Sequence, residues 1–353
     1  MIARMDRLRV LAAPPPTKSL TPVRVVCIGL GAIGGGVARV LLDREGYEIV
    51  GAMEPQPTNA VDGALANGRL GVPVACDRRD LDRVKADICV ICTNTHFEQV
   101  RPDIRWALEQ GMNVLTSAEE KLPYPWFAYA DEAAEVDALA KRNGVTALAT
   151  GINPGFAMDA LVILLTAACS RIRRIDVHRA NDLSSFGRSV MKSFGIGLTP
   201  EAFEAGLESG TVVGHTGFVE SISMICGATG LQVDEIRTGT RPIIAAKPRR
   251  APFAAAEPGQ VAGAVDTAEG LCDGEVVIRL EHPQQIDPAA EQIGTVDRIA
   301  IDGDPPIAMT IEPEIAGAAG TIALLANMIP SVIEAPPGLT TMDRLRLPAG
   351  VFG

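Results

Sequence analysis

The run Gly29-Leu30-Gly31-Ala32-Ile33-Gly34 limits this chain more than any other, because it follows the valine-rich segment 23–28 and opens a stretch of helical periodicity. A strand that turns directly into a helix over a bound anion needs glycine in three places: at the tight turn, at the closest approach of backbone to ligand, and where helix packs on strand. The unpaired N–H groups at the helix start then face the anion. The pattern reads as a dinucleotide-binding turn in which Gly29, Gly31, Ala32, Ile33 and Gly34 hold a pyrophosphate, against the simpler reading of a turn that merely needs glycines. Glu54, 20 residues beyond Gly34 and just past the strand-like segment 48–53, is placed for the ribose hydroxyls. Its charge repels a 2′-phosphate, which favours NAD, with NADP as the alternative through Arg69 or Arg78.

The rest of the first 150 residues repeats the alternation of strand and helix. Strands are expected at 23–28, 48–53, 71–76, 87–93, 113–117 and 146–150, and helices at 34–44, 96–110 and 126–142, with Gly111 and Gly144 closing two of the helices. Short β-branched runs separated by amphipathic helices build a parallel sheet with right-handed crossovers, so the class is α/β with a doubly wound N-terminal domain. After Gly151 the texture changes. A helix over 156–170 leads to a strand at 174–182 and helices near 200–207 and 217–228. Strands follow at 232–245, 260–268, 275–282, 292–301 and 307–311, with Asp273-Gly274 as a hairpin turn. This is an α+β domain around a mixed or antiparallel sheet. A last helix over 317–329 is expected to stop at Pro330 and pack back on the first domain. A chain of 353 residues is too long for one ordinary core, and the expected organisation is a disordered leader over 1–22, a cofactor domain over 23–150, a second domain over 151–316 and a returning segment over 317–353.

Composition excludes several classes. A net charge of −11 has the wrong sign for a nucleic-acid surface or an anionic membrane. The longest uninterrupted apolar stretch, around 160–168, is shorter than the roughly 18 residues of a membrane span. Seven cysteines, an odd number scattered through apolar segments, read as reduced thiols of a cytoplasmic protein. Cys89 and Cys92 have redox or zinc spacing, but on a strand their side chains point to opposite faces. The leader carries Arg4, Arg7, Arg9 and Pro14-Pro15-Pro16 without the apolar stretch of a secretory signal.

Ligands of open parallel sheets gather at the C-terminal ends of the strands. Those ends carry Thr93-Asn94-Thr95, Thr116-Ser117-Ala118-Glu119-Glu120 and Gly151-Ile152-Asn153. Thr93, Asn94, Thr95, Ser117 and Asn153 are placed around a nicotinamide, the alternative being that such residues cap the next helices, Thr95 before His96 among them. Glu119 and Glu120 put a carboxylate beside the crevice, where burial is costly without a cationic partner; the alternative is a solvated acid pair favoured by a helix dipole.

The run Asn113-Val-Leu-Thr-Ser-Ala-Glu-Glu120 with Tyr124-Pro125, then Thr150-Gly-Ile-Asn-Pro-Gly-Phe-Ala-Met-Asp159, resembles the 2,4-diaminopentanoate dehydrogenases and native amine dehydrogenases, kin of dihydrodipicolinate reductase. The likeness continues through Gly197-Leu-Thr-Pro-Glu-Ala-Phe203, Gly214-His-Thr-Gly217, Asn327-Met-Ile-Pro330 and Pro337-Gly-Leu-Thr-Thr-Met342. The resemblance implies a Rossmann domain joined to an α/β domain that completes the substrate site and forms a homodimer. It also implies reversible oxidative deamination of a small amine, or reductive amination of its ketone, with NAD or NADP and ammonia.

Such chemistry leaves an iminium at the former amine carbon, and a neighbouring carboxylate stabilises that cation and exchanges protons. Glu119 matches the first acid of the family's pair and is assigned this role, with Glu120 second. Asn153 is expected to orient the substrate nitrogen or the nicotinamide amide. Arg179 and Asn181 share one strand face, resemble the family's substrate-facing pair and could clamp a carboxylate, unless Arg179 is a surface residue. His282 could join Arg179 there or lie on a solvated hairpin end, and His215 is taken as structural. His96 and His178 lack ligand spacing, so no metal is expected. Lys121 is an extra residue after the acid pair, and Gly317-Ala-Ala-Gly320 replaces an acid usual before Thr321. Phe186 and Phe194 flank a glycine-rich, basic stretch whose length and polarity are expected to shape the far end of the substrate pocket. Two other readings remain: an imine or carbonyl reductase on the same frame, and a cofactor-sensing module without turnover.

Overall fold

Burial on both faces governs the first sheet. Strand β4 (Ile88–Ile91) is buried at every position, and alternate side chains of β1 (Val23–Ile28) enter two separate cores. The computed structural model describes residues 21–55, 70–346 and 348–350; most of the expected leader and Arg69 lie outside the described residues. In chain order β1 is followed by α1 (Ala32–Leu42), β2 (Tyr47–Met53), β3 (Val74–Ala75), β4, α2 (Phe97–Glu109), β5 (Asn113–Thr116), α3 (Ala130–Asn143) and β6 (Thr146–Ala149). The seven-stranded sheet runs β3-β2-β1-β4-β5-β6 and ends on a strand from the far end of the chain, Gly338–Thr340, with every neighbouring pair parallel. Order reverses between β1 and β4, which opens the crevice where such sheets bind ligands. Helices α2 and α3 cover one face, α1 and the last helix the other. Cys89 and Cys92 pack into opposite cores, as strand alternation requires.

The second half contains α4 (Ala160–Thr166), β7 (Arg171–Asp182), α5 (Arg188–Ser193), α6 (Pro200–Ser209), α7 (Phe218–Thr229), β8 (Glu235–Ile244), β9 (Arg249–Ala251), β10 (Ala254–Ala256), β11 (Val261–Cys272), β12 (Glu275–Gln285), β13 (Val296–Asp304) and β14 (Ile307–Ile311). Helix α8 (Gly317–Glu334) and β15 (Gly338–Thr340) then return to the first sheet. The six-stranded second sheet, β14-β13-β7-β12-β11-β8, is mixed, with only β7 and β12 parallel. The Asp273-Gly274 hairpin has φ of 51° and 82°, the positive pair a two-residue turn of this kind requires. Helices α4 and α7 pack Val162, Ile222 and Ile225 on the sheet face that carries Ile175, Val177, Leu280 and Ile299.

Several boundaries differ from expectation. The helix expected over 156–170 forms only from Ala160, because the Asp159 carboxylate accepts the N–H groups of Gly155 (2.7 Å) and Ala160 (2.6 Å) and starts the helix there. Helix α8 continues through Pro330 to Glu334, since Ile329 and Val332 remain buried on either side of the exposed proline. The strand at 71–76 shrinks to Val74–Ala75. Helix α5 and the β9–β10 hairpin carry no strong periodicity and were not anticipated. By length and composition α8 is apolar enough to cross a bilayer, but Leu324, Leu325, Met328 and Ile329 face the core shared with α1.

Candidate active site

The glycine turn has the space a pyrophosphate needs and the crowding a helix–strand junction needs. A Cβ at Gly34 would lie 1.9 Å from the Gly29 carbonyl oxygen, and one at Gly29, whose φ is +82°, would lie 2.7 Å from the Cys92 backbone. At Gly31 a Cβ would meet nothing within 4 Å. That open cradle, ahead of α1 with no side-chain cap on its first N–H groups, fits a nicotinamide dinucleotide between β1 and β4. Ala32 and Ile33 supply the first turn of the helix. Glu54 is buried at the tip of β2, where the Leu30 N–H donates to its Oε2 at 2.7 Å. Thr93, beside the turn, has a buried hydroxyl without a partner, and the Ser117 N–H donates to the Ile91 carbonyl at the end of β5.

Asn94 has a different task from the cofactor contact expected of it. Its Oδ1 accepts the His96 N–H at 2.9 Å and so steadies the entry to α2, while Thr95, the expected cap, contributes its carbonyl, which accepts the N–H groups of Glu119 (3.0 Å) and Glu120 (3.4 Å). The acid pair is thereby tied to the end of β4 and its two side chains diverge. Glu120 Oε1 lies 2.7 Å from His96 Nδ1, both side chains half-exposed, and so turns away from Glu119 toward the start of α2. Glu119 points to the domain junction, where the Thr216 hydroxyl donates to its Oε2 at 3.1 Å. Burial pushes the Glu119 carboxyl up to about 8; the Thr216 hydrogen bond pulls it down, and the charges of Glu120 and Glu220 raise it.

The inner face of the second sheet turns from apolar to polar along β7, from Ile175 and Val177 to Arg179 and Asn181. Register extends this polar level across the sheet: Thr240 opposes Asp266, Asp266 opposes His282, and Arg179 opposes Asp297. Arg179 is 1% exposed, and its guanidinium binds Asp297 and the Ile315 carbonyl. It is therefore neither a surface residue nor a free clamp for a substrate carboxylate. Its charge is compensated by Asp297 before any ligand arrives.

Asn153 joins the two histidines. Its Nδ2 donates to His215 Nε2 at 2.9 Å and to His282 Nδ1 at 3.2 Å, so each ring carries its proton on the other nitrogen. Burial, reinforced by Arg179, lowers His215 to about 3, and burial with His215, Arg179 and His178 holds His282 well below the ordinary range. Both rings are neutral. His282 thus lies in the wall rather than on a solvated hairpin end. Around these rings four buried polar atoms have no partner: Asn153 Oδ1, Asn181 Oδ1, His282 Nε2 and Gln284 Nε2. Two accept and two donate.

Sequence reasoning missed Gln284, Thr216 and Asp266. Gln284 shares the period-two face of His282 and could have been read from it, and the glycines bracketing His215 and Thr216 marked a turn. Asp266 gave no local signal.

Comparisons with known proteins agree with this geometry. The family model described as 2,4-diaminopentanoate dehydrogenase C-terminal domain matches residues 156–353. A 2,4-diaminopentanoate dehydrogenase of Acetoanaerobium sticklandii is 41% identical over 337 residues, covering 94% of this chain and 95% of that protein. An amine dehydrogenase of Streptomyces virginiae is 26% identical, over 75% of this chain and 78% of its own. The solved amine dehydrogenase of Mycobacterium smegmatis superposes with a TM-score of 0.83 at 28% identity, covering 94% and 98% of the two chains.

Proposed function

The chain belongs to the 2,4-diaminopentanoate dehydrogenase family, and from that membership we propose that it is an NAD-dependent dehydrogenase that deaminates a small diamino acid. The observation that carries this reading is the Glu119 carboxyl, raised to about 8 and held by the Thr216 hydroxyl past the C-terminal end of β5, the strand next to β4 in the sheet that carries the glycine turn. The bound cofactor supplies a hydride acceptor for deamination and a donor for the reverse. Glu119, once ionised, takes a proton from the substrate ammonium and so frees the lone pair. It releases that proton to solvent, faces the iminium as a carboxylate, accepts a proton from the adding water, and returns it to the amino nitrogen so that ammonia leaves. A hydroxy-group dehydrogenase would instead need a group able to protonate an alkoxide, and a carboxylate suits nitrogen.

The four unpartnered atoms support the diamino-acid class. A carboxylate satisfies His282 Nε2–H and the Gln284 amide, and an α-ammonium satisfies Asn153 Oδ1 and Asn181 Oδ1. No side chain among these four is charged, and Arg179 already has Asp297, so the pocket suits a zwitterionic head of zero net charge rather than a lone anion. With that head held, the second amino group is left to face Glu119. The preference for NAD rests on Glu54 and on the described arginines nearby, since Arg78 pairs with Asp103 at 2.8 Å and Arg79 with Asp77 at 2.6 Å. A homodimer is part of the same proposal. The outer face of the second sheet presents Arg174, Asp176, His178, Arg279 and Glu281, both signs of charge for a two-fold-related copy to pair. Light scattering at the mass of one chain would overturn it.

The test follows NADH absorbance with purified protein, ammonium at alkaline pH, and a panel of short keto acids with and without an α-amino group. Oxidation of NADH that requires ammonium, prefers the amino keto acids and collapses in Glu119→Ala is expected. Oxidation without ammonium would transfer the assignment to a carbonyl reductase. NADH binding without turnover across the panel would favour a sensor.

A further inference from the structure

Between α6 and α7 the chain makes a turn, Gly214-His215-Thr216-Gly217, whose glycine ends have φ of +69° and +95°. Its two central side chains reach opposite parts of the site: Thr216 to Glu119 at 3.1 Å, and His215 to Asn153 at 2.9 Å. Whatever fixes the turn therefore fixes both contacts.

The N–H groups of Val213 (2.9 Å) and Gly214 (3.1 Å) donate to the Ser193 carbonyl and tie down the start of the turn, and the His215 ring packs on Phe218 and His282. A Cβ at Gly217 would lie 2.5 Å from the Pro154 ring and 3.1 Å from the Glu119 carbonyl, so that end is seated against the loop after β6 and the acid pair. Outward, Val213, His215, Thr216 and Gly217 border a cavity of about 400 Å³ shared with Thr240 and Thr267. Across that gap stands Asp266 on β11, 2% exposed. Its Oδ2 accepts the His215 N–H at 3.2 Å and its Oδ1 accepts the Thr240 hydroxyl at 2.6 Å. Contact is close enough that a Cβ at Gly214 would lie 2.4 Å from Oδ1.

We propose that Asp266 is a positioning residue for the deamination, holding the His215 amide so that Thr216 meets Glu119 and His215 meets Asn153. The proposal rests on the functional reading above for its kinetic consequences and on the hydrogen bonds alone for the placement of the turn. Burial raises the Asp266 carboxyl to about 6, with the hydrogen bonds from the Thr240 hydroxyl and the His215 amide opposing that rise, so at alkaline pH it is an anion and accepts strongly. Glu119 faces Thr216, Glu120 and Glu220, and of these only Thr216 lowers its ionisation. Releasing the turn removes that hydrogen bond and moves the Glu119 ionisation upward.

The experiment compares wild type, Asp266→Ala and Asp266→Asn in three readouts: kcat and KM, the pH dependence of kcat/KM, and amide hydrogen exchange of the 213–218 segment. Asp266→Ala is expected to lower kcat at least tenfold with KM for NADH unchanged, to move the ionisation attributed to Glu119 above about 8, and to speed exchange in 213–218. Asp266→Asn retains an oxygen for the His215 N–H and is expected to recover most of each. Unchanged exchange in 213–218, or faster exchange with an unmoved pH profile, would overturn the proposal. Should Asp266→Ala fail to fold, Gly214→Ala displaces the same contact from the turn's side, and an unmoved ionisation there overturns it equally. If the wild type shows no ammonium-dependent turnover, the functional reading falls, while the exchange comparison still decides whether Asp266 holds the turn.

Discussion

Glu119 illustrates how one carboxyl links rate, pH and stability. Its folded ionisation, about 8 against an ordinary 4.5, means the native state binds the proton more tightly than the unfolded chain. Stability from this group is complete below the ordinary value and is lost as pH rises through about 8, while deamination, which uses the ionised form, gains over the same interval. Glu119→Gln is expected to lower kcat by about 10²–10⁴-fold. The melting temperature of the variant relative to wild type is expected to climb between pH 5 and pH 9, by about 2 °C for each ~1 kcal/mol relieved; parallel melting curves across that range would remove the buried-proton account. Position at the end of a parallel strand marked Glu119 and Glu120 alike, and likeness to the family's acid pair singled out Glu119. Its partner Thr216 is 97 residues away in the chain, and no local pattern connects them.

At the scale of elements, the glycines separate ligand contact from packing. Gly31→Ala is expected to leave the melting temperature within about 2 °C of wild type and to weaken NADH binding at least tenfold, since no protein atom would meet the new methyl within 4 Å; Gly34→Ala would strike the Gly29 carbonyl and is expected to damage the fold itself. Helix α1 meets α8 at Gly36, where a Cβ would lie 2.3 Å from Ile322 Cδ1. Gly36→Val is expected to cost about 1–3 kcal/mol in chemical denaturation, and Ile322→Ala in the same chain to recover part of it. Absence of any recovery would locate the cost elsewhere. The buried β-branched run Val23–Ile28 and the alternating edge strand Ile307–Ile311 were legible to the residue. Helix limits were less so, because Asp159 starts α4 through hydrogen bonds to its own loop and burial around Ile329 carries α8 past Pro330. Arg179 was misjudged for a related reason: its partner Asp297 lies on another strand, and pairing of that kind is decided by register, not by local sequence.

For the whole molecule, the first sheet is completed by the last part of the chain. Leu339 of β15 packs into the core with Val145 and Ala147, its N–H donates to Asp137 at 3.0 Å, and the Thr146 hydroxyl donates to the Ala335 carbonyl at 3.1 Å. Helix α8 covers the sheet face that α1 leaves open. A chain ending at Glu334 is expected to lose at least 5 °C in melting temperature and to bind NADH more weakly, although every residue of the glycine turn is present. Equal melting and equal binding would show the returning segment to be dispensable. The same closure sets an order on synthesis. When the first 150 residues leave the ribosome, the sheet that grips the nucleotide has an open edge beside β6 and a bare apolar face, and both stay so until residues 317–340 have been made. A nascent chain therefore exposes its stickiest surface throughout synthesis of the second sheet and acquires a tight hold on its cofactor only once α8 and β15 have emerged.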